Sequence, residues 1–334
     1  MVAAGLYYGF LAIWATSSPP HVVQNIASLA PFWIVYGLLL VNTAVCLWNR
    51  LPVLRRDLSS SRRWGSLGTY LFHVAFFFLA VGFVLTLLGR QEASVWATVG
   101  EPFESRPDQF RSASAPRMMA PGVPALSFEV ERITPEFWRD ELLFTTLEAD
   151  LRFPSGSTAT TRINRPLWVS PATFLRMSGF GYTPRYELLD RDGLILDSAF
   201  VKLNVFPPGQ RDYFTLPDFP HRFYLEVMPD VAIEEGVPVN RSLNLAIPAV
   251  ALHVHRGRLD LGRAVLVGAQ AYEFEGLRLR FPEIRYWGEF SIVRDPGAPV
   301  VFLGYIVGLV GLLLKLTGRR PEAEWSAGRG EHHG

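Results

Sequence analysis

Seven histidines and one cysteine are the residues of this chain best suited to bind a metal or move a proton, and their surroundings separate them. His73 is the only basic side chain in the apolar run 67–88, which has no acidic one, and lies about six positions from its start. At 1.5 Å per helical residue this is roughly 9 Å into a membrane-crossing helix. An imidazole at that depth must find a hydrogen-bond partner or a metal, because hydrocarbon offers neither. Phe76 and Phe77 follow at i+3 and i+4 on the same helical face, with Phe72 and Phe78 adjacent. A neutral imidazole nitrogen ligates haem iron well, and a flat porphyrin needs apolar walls. Two readings therefore stand: an axial ligand walled by Phe76 and Phe77, or a neutral histidine hydrogen-bonded in a helix bundle among lipid-facing rings. One histidine fills one axial position, so a second ligand must come from another chain.

His253 and His255 are two apart on an expected strand, on one face and about 7 Å apart by strand rise. A metal would need further ligands. None stands at suggestive spacing, and a solvated polar face is the expectation. His21 lies in a polar loop, His332 and His333 in a polar tail. Arg278 and Arg280 share a strand face and Arg285 follows; they suit propionates or anionic headgroups, or simply solvent. Asp190, Asp192 and Asp197 surround an expected turn, where aspartate bonds local backbone. Cys46 alone excludes an intrachain disulfide and a cysteine-rich metal site, and reads as a small apolar filler. There is no phosphate loop, nucleophile elbow, H-E-x-x-H or paired helical carboxylates. Catalysis by this chain alone is unsupported.

The elements that must position these residues follow from hydropathy. Of 334 residues 49% are hydrophobic and only 19% charged, too apolar for a purely soluble protein. A net charge of +1 gives no field to hold a nucleic acid. No Asp, Glu, Lys or Arg occurs before Arg50. Four transmembrane helices are expected, three N-terminal at about 2–17, 32–49 and 67–89, and one C-terminal at 296–317. The first is short, with a cleaved signal peptide as its rival reading. Arg50, Arg55, Arg56, Arg62 and Arg63 fill the loop 50–66, and Lys315, Arg319 and Arg320 follow the last span. Basic loops stay cytoplasmic, so both termini are expected in the cytoplasm and residues 90–295 outside it. That segment alternates apolar and polar residues at 126–131, 147–153, 199–205, 223–227, 250–255 and 277–281, the period of half-buried strands. The expected fold class is a membrane protein of α+β type, its spans flanking an extracytoplasmic antiparallel β-sandwich-like domain. Residues 101–122 read as an extended lead-in, and 318–334 as a disordered cytoplasmic tail.

Several strings in this order resemble the ResB-like cytochrome c biogenesis family, the membrane subunit of the System II haem attachment machinery. They are Phe32-Trp33; Asn42-Thr-Ala-Val-Cys46-Leu-Trp-Asn-Arg50-Leu-Pro52; Leu71-Phe-His73; Ile163-Asn-Arg-Pro-Leu167; Phe180-Gly-Tyr182; and Ile292-Val-Arg294-Asp-Pro-Gly297. The resemblance implies an inner-membrane chain paired with a polytopic ResC/CcsA-type partner. Together they would export haem b, held transiently and shared, and attach it to apocytochrome c as subunits of a haem lyase complex. It also implies that His73 is a transmembrane axial ligand, with the opposing ligand on the partner. The alternative from a different class is a membrane-anchored structural or sensory β domain without a cofactor.

Overall fold

The computed structural model describes residues 30–60, 63–114, 124–138, 144–204 and 210–317. The expected span at 2–17 and the tail 318–334, with His21, His332 and His333, lie outside the described residues. The chain divides into two compact units, a helical one and a β one.

Three helices make the first unit: α1 Ala30–Asp57, α2 Arg63–Gly89 and α3 Ala298–Thr317. All three are long and apolar enough to cross a membrane. Helix α1 runs on through Arg50–Asp57, which the charge pattern had assigned to a loop; α2 likewise begins four residues earlier than its apolar run. Charge marks where hydrocarbon ends, not where the backbone ladder ends. Arg55 and Arg56 in the last turn suit the helix C-terminal dipole. Ser59 and Ser60 hydroxyls donate to the Arg56 and Asp57 carbonyls and close the helix.

Helices α2 and α3 meet along small residues at seven-residue spacing, Gly68, Ala75 and Gly82 against Gly297, Gly304 and Gly311. An added Cβ on Gly311 would lie 2.7 Å from Phe72 N, and one on Gly82 would lie 2.9 Å from Val301 N. The backbones thus touch, as small residues permit between membrane helices. Gly68 faces Gly311 whereas Gly82 faces Gly297 and Val301, so the helices are antiparallel. Asp295 joins them at one end. Its Oδ1 accepts from Thr86 Oγ1 at 2.7 Å and from the Gly297 and Ala298 amides at 3.0 and 3.2 Å. This is an N-cap, with Pro296 placed where a missing N–H is harmless. Helix α1 is fixed to α2 by Tyr36, whose hydroxyl donates to the Ala80 carbonyl at 2.6 Å.

The strands of the second unit, in chain order, are β1 Gln91–Thr98, β2 Pro102–Phe103, β3 Ser112–Ser114, β4 Phe128–Phe137, β5 Phe144–Arg152, β6 Thr158–Arg162, β7 Leu167–Ser170, β8 Thr173–Leu189, β9 Ile195–Phe200, β10 Asp212–Thr215, β11 His221–Met228, β12 Val231–Glu234, β13 Val237–Asn240, β14 Ala249–Arg256, β15 Leu259–Val267, β16 Ala271–Phe274 and β17 Leu277–Arg294. The pairing is antiparallel throughout the named strands. The frame is the long pair β8–β17 at the centre of a seven-stranded sheet, flanked by β1 and β3 on one side and β7 on the other, with β9 and β16 at its ends. One half packs Leu175, Met177, Phe290 and Ile292 against the sheet β2-β4-β5-β6. The other half packs Tyr182, Tyr186, Leu188 and Leu279 against β10-β11-β14-β15. The expected single sandwich is therefore two sandwiches sharing one sheet. At the crossover Gly181 lies opposite Trp287, and a Cβ there would enter the indole ring.

The lead-in at 101–122 contains short strands β2 and β3 rather than plain extended chain. The strand expected at 199–205 ends at Phe200, because its partner β8 next offers Pro184, which has no N–H to donate.

Candidate functional site

His73 sits in the first half of α2, in which no Asp, Glu, Lys or Arg follows Arg63. It is half-buried. Five helical residues place it ~140° around the axis from Gly68, away from the seam with α3. It shares a face with Ala80, the residue reached by Tyr36 of α1. Its Nδ1 lies 2.7 Å from the Thr69 carbonyl. A carbonyl can only accept, so Nδ1 carries the proton, and the neutral form of the ring has its lone pair at Nε2. The backbone one turn below thus orients the ring and fixes its tautomer, as ligating histidines require. The Thr69 hydroxyl does not compete, since it donates to Gly65 O at 2.9 Å.

The ring beside the imidazole is Phe72, edge-on at 6.5 Å between centroids, itself edge-on to Phe76 at 5.1 Å. Phe76 is half exposed and Phe77 half-buried. The donor set suits one axial position on a haem: a neutral nitrogen donor with a fixed tautomer, in apolar surroundings. The described residues place no second histidine in the helical unit.

The arginines prove committed to internal partners. Arg280 grips the buried Glu187 through Nη2 and Nε at 2.6 and 2.7 Å. Arg285 pairs with Glu283 and donates to Val99 O, while Arg278 reaches the Asp190 and Arg191 carbonyls. No solvated anion patch remains among these three. Asp190 behaves as a turn aspartate, its Oδ1 accepting from Leu194 N, and Asp197 accepts from the Tyr186 hydroxyl. Cys46 is a free, half-buried thiol on α1.

His253 and His255 depart most from expectation. They are partly buried and joined to a third group, Asp260, which their spacing did not reveal. A bulge between Val254 and His255 in the pairing of β14 with β15 puts Asp260, not Leu261, opposite His255.

No curated protein matches this chain significantly. A family model, ResB-like family, matches residues 62–321, which take in α2, the whole β unit and α3. With most of the chain covered, including the helix that carries His73, the chain belongs to the ResB-like family.

Proposed function

We propose that this chain is the haem-handling membrane subunit of a cytochrome c biogenesis complex, with His73 as an axial ligand supplied from within the membrane. The family ties the chain to cytochrome c biogenesis. The observation that carries the finer reading is the His73 ring, with Nδ1 held by the Thr69 carbonyl and Nε2 left with a lone pair in a helix otherwise free of charge after Arg63. When bound, the haem would supply an iron centre that His73 Nε2 would hold from this chain. The opposing axial ligand falls to a ResC/CcsA-type partner. Phe72, Phe76 and Phe77 supply the apolar surface beside the donor and exclude water from it.

Topology supports the same reading. Helices α2 and α3 are antiparallel, so Gly89 and Gly297, between which the β unit is inserted, belong to one end of the pair. Arg63 marks the other end of α2, preceded by Arg50, Arg55 and Arg56 in the last turns of α1, and Lys315 marks that of α3. Cytoplasmic retention of basic ends would put the β unit on the extracytoplasmic side of the inner membrane, where apocytochrome c is met.

The test is to purify the chain with its partner and record haem spectra for the wild type and His73→Ala. Loss of haem that free imidazole restores is the expected result. Unchanged haem content and axial signature would remove the ligand role and leave an anchored β scaffold.

A further inference from the structure

His253, His255 and Asp260 offer one ligand atom each, all within 4.8 Å of one another. We infer that this cluster on the face of β14 and β15 is a divalent transition-metal site, with His253 Nδ1 and His255 Nε2 as its ligand pair.

The geometry is built rather than incidental. The two nitrogens lie 3.3 Å apart. A tetrahedral ion with imidazole arms of about 2.0–2.1 Å requires ligands separated by roughly 3.3–3.4 Å, so the pair already spans one edge of such a site. In the metal-free chain the contact is a hydrogen bond whichever nitrogen donates, and a metal binding both would displace that proton.

Asp260 fixes the second face of His253. Its Oδ1 lies 3.0 Å from His253 Nε2 and also accepts from the Gly262 amide at 2.8 Å. Arg263 Nε is 3.3 Å from the same His253 nitrogen. Asp260 and Arg263 thus both engage His253 from its Nε2 side, which leaves Nδ1 as the nitrogen turned toward His255. With a metal on Nδ1, the Nε2 proton would go to Asp260, the carboxylate–histidine–metal arrangement.

The bulge makes this possible. Leu261 is the extra residue, Gly262 adopts φ +114°, and the Tyr272 hydroxyl donates to Leu261 O at 2.6 Å, pinning the kink. Bulges commonly re-aim side chains beside functional sites. Beyond the nitrogens opens a pocket of about 340 Å³ lined by Arg211, Tyr213, Tyr224, His253 and His255, room for water or an exogenous ligand at the remaining positions. Arg211 is engaged by Glu226 at 3.4 Å.

The experiment uses the full chain in detergent, free of haem, with Zn²⁺ alone in equilibrium dialysis and Cu²⁺ alone for electron paramagnetic resonance. One tightly held zinc per chain is expected, lost by at least about 100-fold in affinity in His253→Ala/His255→Ala and weakened about 10- to 100-fold in Asp260→Asn. His332→Ala/His333→Ala and His73→Ala should both retain it, which separates this site from the tail and from the proposed haem ligand. Wild-type copper spectra should carry coupling to two imidazole nitrogens, a readout that needs no variant to fold. Absence of stoichiometric zinc, zinc retained by the double histidine variant, or copper without two-imidazole coupling would each overturn the inference.

Discussion

Asp295→Ala should unlatch the end of the helix pair, and the structure permits its cost to be built up. One buried carboxylate oxygen receives three donors: the Thr86 hydroxyl and the amides of Gly297 and Ala298. Losing a side-chain N-cap costs about 1 kcal/mol, with a range of roughly 0.5–2. Leaving the partly buried Thr86 hydroxyl without its acceptor adds about 1–3 kcal/mol. The expected loss is therefore about 2–4 kcal/mol, much of it through the contact across α2 and α3. Asp295→Asn keeps an oxygen in place and gives up only charge assistance, so it should cost about 1 kcal/mol. The assay is reversible denaturation in mixed micelles, read through a double-mutant cycle with Thr86→Val. A coupling of about 0.5–3 kcal/mol between positions 86 and 295 is expected for partners in direct contact. Equal losses for Asp295→Ala and Asp295→Asn, or additivity with Thr86→Val, would refute the latch.

Gly311→Leu should separate α2 from α3, because its Cβ would fall 2.7 Å from Phe72 N and 2.9 Å from Gly68 O, backbone atoms that cannot turn aside. A loss of at least about 1–3 kcal/mol is expected by thermal inactivation in detergent, while Gly37→Leu on α1, with nothing within 4 Å of its Cβ, should be silent. Burial drives the Tyr182 phenol far above its ordinary value, and its hydroxyl donates to Leu243 O at 2.6 Å. A raised folded pKa means stability fully present below the unfolded value near 10 and lost as pH rises beyond it. Phenolate absorbance from Tyr182 should therefore appear only with unfolding, and Tyr182→Phe should cost about 1–3 kcal/mol in urea titrations for the orphaned carbonyl.

What could be read from the sequence, and what could not, divides along physical lines. Strands half-buried on one face announce themselves: β4, β5, β11 and β14 alternate in sequence as they alternate in burial. The central strand β8 does not, because residues 180–184 are buried on both faces near the crossover, where alternation has no solvent side to mark. His73 stood out because a lone basic group in an uncharged run has few explanations. Its tautomer did not, since that rests on which ring nitrogen meets the Thr69 carbonyl. Asp260 was invisible to spacing for a sharper reason. A regular ladder would set Leu261 opposite His255, and only the one-residue bulge substitutes the carboxylate.

The strings that carry the family resemblance also acquire a division of labour. Phe180-Gly181-Tyr182 is the place where an indole lies flat on a glycine so that one sheet can serve two cores. In Ile163-Asn-Arg-Pro-Leu167, Asn164 takes φ +61° to turn the chain between β6 and β7. Asp295-Pro-Gly297 caps α3 and ties it to α2. Gly181, Asn164 and Asp295 each resolve a local backbone or packing demand. Leu71-Phe-His73 instead ends on a side chain whose Nδ1 is held by the backbone and whose Nε2 remains to bind a ligand. Substitutions in the first three strings should therefore lower the amount of folded protein and leave the spectrum of any bound haem unchanged per molecule, whereas substitution at His73 should change the spectrum at normal protein levels. A spectral shift per folded molecule in Gly181 or Asp295 variants would break that division and place part of the binding chemistry in the frame.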